Sequence, residues 1–240
     1  MRSKLARAAA VLFALALLYP LSGLFTQIRS WRWDADVSGP SLASIRVSLG
    51  LTSLAMLIVV VLGTPAAVYI ARRGVHQRLW WQAVFLLSIL LPPLALGILL
   101  SITFGRVTNT PAAFVGTQVY VSIGYYVLGA VAAFDGVPTI LEKHAALLGQ
   151  PPTAVFWRVT FPLARLGLAV ALSVAWVRAL GEFGAVVVTA YYPSGMPVQL
   201  WVNLQSFGLP AVMPLLLIFL ITALPLPWAV HLLAQRRPHA

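Results

Sequence analysis

This chain has no cysteine, two lysines and only five acidic residues among its 240. Without cysteine there is no disulfide and no thiolate chemistry, and the compartment cannot be read from that absence. Neither Lys4 nor Lys143 follows a Gly-x-x-x-x-Gly stretch, so the chain has no phosphate-cradling loop of that kind. His76, His144, His231 and His239 are scattered and show no metal-ligand spacing. No nucleophile–base pattern stands out, and an intramembrane hydrolase has no evident catalytic set. Charge is also scarce, at 9% of residues, where a soluble domain carries about a quarter.

What fills the chain instead is apolar: 60% hydrophobic residues, with a mean hydropathy of +0.92. This is the composition of an integral membrane protein. The net charge of +11 does not point to nucleic acid, because the basic residues sit at the ends of apolar segments and not on one soluble face. They read as topology determinants. Six apolar runs reach the roughly 20 residues that cross a bilayer: 8–26, 47–71, 79–102, 112–134, 164–190 and 211–234. The fold class expected is all-α, a single transmembrane domain over 1–240. The first run follows Arg2, Lys4 and Arg7. It is longer than a signal-peptide core and no small-x-small cleavage site follows it, so it reads as a retained span. Residues 27–46 are polar, and Trp31 and Trp33 there suit an interfacial belt. Pro92-Pro93 inside the third run reads as a tolerated kink. Pro225 and Pro227 should bend the last. Asp135 reads as solvent-facing, near the end of the fourth run.

Six spans put both termini on one side. On that side fall Arg2, Lys4, Arg7, Arg72, Arg73, Arg78, Lys143, Arg158, Arg165, Arg236 and Arg237; the other side has Arg29, Arg32, Arg46 and Arg106. The excess places both termini, and the loop 139–163, in the cytoplasm. The 191–210 loop has no Lys or Arg, as expected of an outer loop. Its Tyr191–Pro197 part is turn-rich, and 198–207 reads as a short helix on the outer surface with Trp201 at the interface.

The loop 139–163, TILEKHAALLGQPPTAVFWRVTFPL, is too mixed to span. Glu142, Lys143 and His144 open a short helical run, and Ala145, Ala146, Leu147 and Leu148 give it an apolar face. Gly149 suits the C′ position, where positive φ is favoured. Pro151 and Pro152 forbid simple continuation. Val155, Phe156 and Val159 then fall at helical spacing, and Pro162 closes the loop. The expectation is two short helices joined by a glycine elbow at a membrane surface.

This pattern resembles the coupling loop of ABC importer permeases, the binding-protein-dependent inner-membrane components, whose signature is roughly E-A-A-x-x-x-G, a hydrophobic run and L-P. Ala145, Gly149 and Pro162 match it. Lys143 stands where the family has Glu, and His144 where it has Ala. Ser48–Arg73 with Gly63-Thr64-Pro65, and Leu91-Pro92-Pro93 with Gly97, are similar to the family's core helices. Arg178-Ala-Leu-Gly-Glu182-Phe-Gly-Ala185 is closest to the molybdate, tungstate and sulfate permeases. The resemblance implies a type I importer fold in a bacterial or archaeal cytoplasmic membrane, and carriage of molybdate or tungstate, with sulfate or phosphonate as alternatives. It implies a homodimer, two ATPase subunits docking on the loop through Glu142, Lys143, His144, Ala145, Gly149, Phe156 and Pro162, and an extracytoplasmic binding protein. ATP and Mg would sit on the partner ATPase, with no cofactor on this chain. A secondary transporter, which needs no ATPase, is the rival class.

Arg178 and Glu182 are the only opposite charges inside an expected span, at i,i+4. On a helical wheel Ala164, Gly167, Ala171, Ala175, Arg178, Glu182 and Ala185 share one stripe. Small residues let another helix approach closely. Two readings of the pair stand: an ion pair that locks helix packing, or a positive potential for an anion pathway.

Overall fold

The computed structural model describes residues 2–26 and 28–235; the tail residues Arg236, Arg237 and His239 lie outside the described residues. Among the described residues there is helix and no strand. The helices are, in order, α1 (Arg2–Leu18), α2 (Ser22–Thr26), α3 (Ala35–Ala71), α4 (Val75–Leu90), α5 (Pro93–Thr103) and α6 (Pro111–Asp135). Then come α7 (Thr139–Leu147), α8 (Pro152–Val155), α9 (Phe161–Leu180), α10 (Val186–Thr189), α11 (Met196–Phe207), α12 (Leu209–Ala223) and α13 (Pro225–Gln235). Five helical stretches are long and apolar enough to cross a membrane: Ala9–Thr26, Asp36–Ala71, Pro111–Asp135, Pro152–Leu180 and Leu209–Val230. Counting α4 and α5 as one broken span gives six.

Three of the expected boundaries need correction. The run 79–102 is not one kinked helix. α4 and α5 are bent by 101° to each other. Leu91 and Pro92 between them are extended. Two adjacent prolines remove two backbone donors and push the preceding residue out of helical space, so the chain turns instead of kinking. The second span begins well before 47, because Asp34 accepts a hydrogen bond from the Val37 amide at 3.2 Å and caps a helix running from Ala35. The fifth expected span, α9, stops at Leu180, not 190. Gly181 ends it, its amide donating back to the Val177 carbonyl at 3.1 Å.

The core forms where α3, α6 and α9 meet. Ala55, Val59, Ala67, Val127, Ala130, Val131, Phe134, Ala175 and Ala179 are fully buried there. Glycine permits the closest approaches. A Cβ on Gly167 would stand 2.5 Å from Ala133 Cβ, and one on Gly129 would stand 2.8 Å from Ala171 Cβ. The small-residue stripe of α9 therefore faces α6, as the wheel predicts, with Ala164, Ala171 and Ala175 buried. At the Asp34 end, a buried polar seam joins α3 to α11. Gln199 Nε2 donates to Asn203 Oδ1 at 2.8 Å, Asn203 Nδ2 donates to Ser41 at 3.2 Å, and the Met196 amide donates to Ser48 at 2.7 Å. The helix expected on the outer surface is thus docked into the bundle on one face, while Trp201 on the other stays exposed.

Candidate functional site

The elbow forms as its residues dictate. α7 ends in a Schellman cap: the Gly149 amide donates to the Ala146 carbonyl at 3.0 Å, and the Gln150 amide to Ala145 at 3.2 Å. Gly149 has φ +80°, which a residue with a Cβ adopts only under strain. The expected second short helix is not separate. α8, a π turn over Phe156–Thr160 and α9 run on without a break. Pro162 explains the π turn. It has no amide to offer the Arg158 carbonyl, and the Phe161 amide reaches back five residues to Phe156 instead.

Two faces of α7 follow. Glu142 and Ala145 turn inward. Lys143, His144, Leu147 and Leu148 are exposed, the two leucines at 83% and 81%. Glu142 is not a free surface carboxylate. Its Oε1 pairs with the Arg72 guanidinium from the end of α3 and accepts from the Thr160 hydroxyl at 2.7 Å. Arg72 also donates to the Phe134 carbonyl at 3.2 Å. The carboxylate therefore ties α7 to α3 and the π turn, and Arg72 extends the tie to α6, over a recess of 310 Å³. Phe156 is half-buried against Phe134, ring centroids 6.3 Å apart, and Pro162 is half-buried at the start of α9. Asp135 is exposed, as expected, and Arg78 pairs with it, tying α4 to α6. Arg72, Arg78 and Thr160 were not legible as partners; the contacts span 18 to 70 residues of chain.

At the other end of α9, Arg178 and Glu182 meet, but not on one helix face. Glu182 lies past the helix end, in the turn before α10. Its side chain is 1% exposed. One carboxylate oxygen pairs with Arg178; the other accepts from the Ala185 amide at 2.6 Å. Arg178 also stands over the Tyr125 ring, 6.0 Å from its centre. This turn packs tightly on the broken helix: a Cβ on Gly97 would come within 2.8 Å of the Ala185 carbonyl, and one on Gly184 within 2.8 Å of Pro93 Cβ. The elbow residues and the Arg178–Glu182 pair are therefore two sites, at opposite ends of one helix. A separate recess of 350 Å³, between α5, the start of α6 and α10, is lined by Phe104, Thr108, Gly116, Thr117, Tyr120 and Thr189. Among the described residues no group of His, Asp and Glu is placed to hold a metal.

A family model described as binding-protein-dependent transport system inner membrane component matches residues 63–238. The chain is 35% identical over 196 residues to a probable molybdenum ABC transporter permease protein of Haloferax volcanii, covering 78% of this chain and 73% of that one. It is 30% identical over 182 residues to a molybdate/tungstate transport system permease protein of Pyrococcus furiosus, covering 75% and 73%. Two solved structures share the fold. One is a bacterial alginate ABC transporter in complex with a periplasmic protein bound to an alginate pentasaccharide, with TM-score 0.75 and 14% identity, covering 98% of this chain and 93% of that one. The other is an inward-facing methionine ABC transporter, with TM-score 0.68 and 15% identity, covering 85% and 98%.

Proposed function

This chain belongs to the family of binding-protein-dependent transport system inner membrane components, and from that premise we propose that it imports molybdate or tungstate as a homodimer driven by two ATPase subunits. The relatives' substrates support the anion: two permeases named for molybdenum or for molybdate and tungstate align over about three quarters of the chain. The observation that carries the mechanism is the elbow. A capped helix end exposes two leucines and is fastened through Glu142 to Arg72 at the end of α3 and to the π turn that leads into α9, and through Arg72 to α6. Displacement of such an element moves the bundle, which is what coupling to an ATPase requires. In this reading the elbow end is cytoplasmic, as are both termini, ATP and Mg belong to the ATPase, and a loaded binding protein docks at the opposite end.

The anion route lies at the two-fold axis of the dimer. Arg178 is not its free cation, because Glu182 neutralises it. The pair instead serves the packing role.

The test is ATP hydrolysis and uptake in liposomes containing this chain, its ATPase and its loaded binding protein, with molybdate, tungstate, sulfate and a phosphonate compared. Stimulation by molybdate or tungstate alone is the expected result. Equal stimulation by sulfate overturns the substrate assignment. No stimulation by any anion, from a complex that hydrolyses ATP, discards the oxyanion reading.

A further inference from the structure

We propose that the docking face of the elbow is cationic around an apolar tip, and that the ATPase subunit meets it with carboxylates rimming an apolar socket. The inference rests on the reading that the elbow is the ATPase dock and adds the chemistry of the partner. Between residues 136 and 181 the chain has one acidic side chain, Glu142. It is turned inward and consumed by Arg72 and Thr160. Outward on the elbow stand Lys143 and His144 on α7, Leu147 and Leu148 at its tip, and Trp157 and Arg158 across the turn. Arg158 is steered toward the tip by a hydrogen bond from its Nη1 to Gln150 Oε1 at 3.2 Å. On α7 the outward residues share one face and Glu142 lies on the opposite one, as about 100° per residue demands. The outward charge is thus of one sign only.

A lipid headgroup layer is the other surface such a face could meet. Geometry argues against it. The continuous helix from Pro152 to Leu180 has 29 residues and is therefore about 43 Å long, against a hydrocarbon core of about 30 Å. Its Leu180 end is held inside the bundle against Met196 and Leu215. The helix is thus about 13 Å longer than the hydrocarbon core is thick, so its ends, the elbow with its exposed leucines among them, project past the apolar layer. Leucines held there need an apolar protein socket. Complementary charge around such a socket sets orientation and approach rate and excludes wrong partners.

The experiment measures ATPase binding to the purified permease in detergent, at low and high salt, for wild type, Lys143→Gln, Lys143→Glu and the double variant Leu147→Ser/Leu148→Ser. Lys143 is exposed, so its variants keep the fold, which gel filtration of the solubilised chain checks. Binding by Lys143→Glu should weaken at least about tenfold, with Lys143→Gln intermediate, and the salt dependence should flatten. Reversing one rim carboxylate of the ATPase to lysine should restore binding to Lys143→Glu. The leucine variant separates the two layers of the argument. Normal binding by it overturns docking on the elbow altogether. Loss of binding by it, with Lys143→Glu indistinguishable from wild type, overturns the charge proposal alone. A Lys143→Glu defect that appears only in vesicles of anionic lipid, and not in detergent, assigns the face to lipid and overturns the proposal as well.

Discussion

The crossing of α6 and α9 should fail if one methyl is added and recover if another is removed. Gly167→Ala puts a carbon 2.5 Å from Ala133 Cβ and 3.1 Å from Ala133 Cα, where about 3.5–4.0 Å is favourable. Neither atom has a rotamer to escape into, so the helices must part by about 1 Å. Overpacking of this kind costs about 1–3 kcal/mol. Replacing a helical glycine by alanine returns up to about 1 kcal/mol. Ala133→Gly alone costs about 1 kcal/mol in propensity. In the double variant one alanine and one glycine still face each other, with the positions exchanged. Propensity terms cancel and the 2.5 Å overlap is gone, leaving only the 3.1 Å approach to the Cα of residue 133, so its stability should recover most of the way to wild type. The coupling energy is therefore about 1–3 kcal/mol in favour of the pair. Reversible unfolding in mixed micelles, run on all four members of the cycle, measures it. A coupling within about 0.5 kcal/mol of zero refutes the close-approach reasoning. So would a double variant less stable than Gly167→Ala alone.

Arg178→Ala should destabilise more than Glu182→Gln, because it strands a carboxylate that is 1% exposed while the reverse strands a guanidinium that is 25% exposed; the scale for the first is about 3–5 kcal/mol, thermal unfolding in micelles reads it, and equal losses contradict the packing role. Gly149→Pro forces φ from +80° to about −65° and deletes the amide that donates to Ala146; the expected result in proteoliposomes is ATP hydrolysis without uptake, from a chain that still inserts, and full uptake contradicts the coupling role. Arg32, through its hydrogen bond to Asp34, holds that carboxyl below its ordinary value. A depressed folded pKa means that the cap of α3 is complete above the ordinary carboxylate range and lost as pH falls through the lowered value. Hydrogen exchange at Val37 and Ser38 should speed up in that acid window in wild type, beyond its ordinary pH trend, and should not do so in Asp34→Asn, which keeps the acceptor without the titration.

How much of this was legible in the residues depends on the range of the interaction. Gly149 was, because a helix cap is settled within five residues, and the Schellman bonds fall where the spacing requires. The stripe of α9 was, because helical periodicity decides which face is small. The Pro92-Pro93 break was half-legible. The prolines announce a disruption, but whether it bends a span or turns it by 101° depends on what receives α5, here the turn at Gly184 and Ala185. The early start of α3 was not legible from hydropathy, because residues 35–46 are too polar to extend the apolar run. Ser41, Ser44, Ser48 and Thr52 recur at helical spacing and are all buried, so they were signalling a polar helix face. Glu142 is the least legible: the resemblance places it in the docking set, and the fold gives its carboxylate Arg72 and Thr160 as partners. No local rule pairs residues 70 and 18 positions apart.

The two sites at the ends of α9 are mechanically one. The tight contacts at Gly167 and Ala171 hold this helix against α6 at a point between them. From there the elbow is about 25 Å away along the axis and Leu180 about 17 Å, taking 1.5 Å per residue. A rotation of about 10° about that crossing would carry the Leu180 end through roughly 3 Å. The turn beyond Leu180 cannot absorb such a displacement by loosening. Glu182 pins its start to Arg178 and to the Ala185 amide, and Gly97 and Gly184 leave no space between it and α5. Displacement at the elbow must therefore reach α5, the helix that the proline pair has cut free of α4. A broken span is costly in lipid, since its opened backbone must find partners within the protein. Its position against the pinned turn gives that cost a use: α5 can follow α9 without dragging the whole of α4 with it.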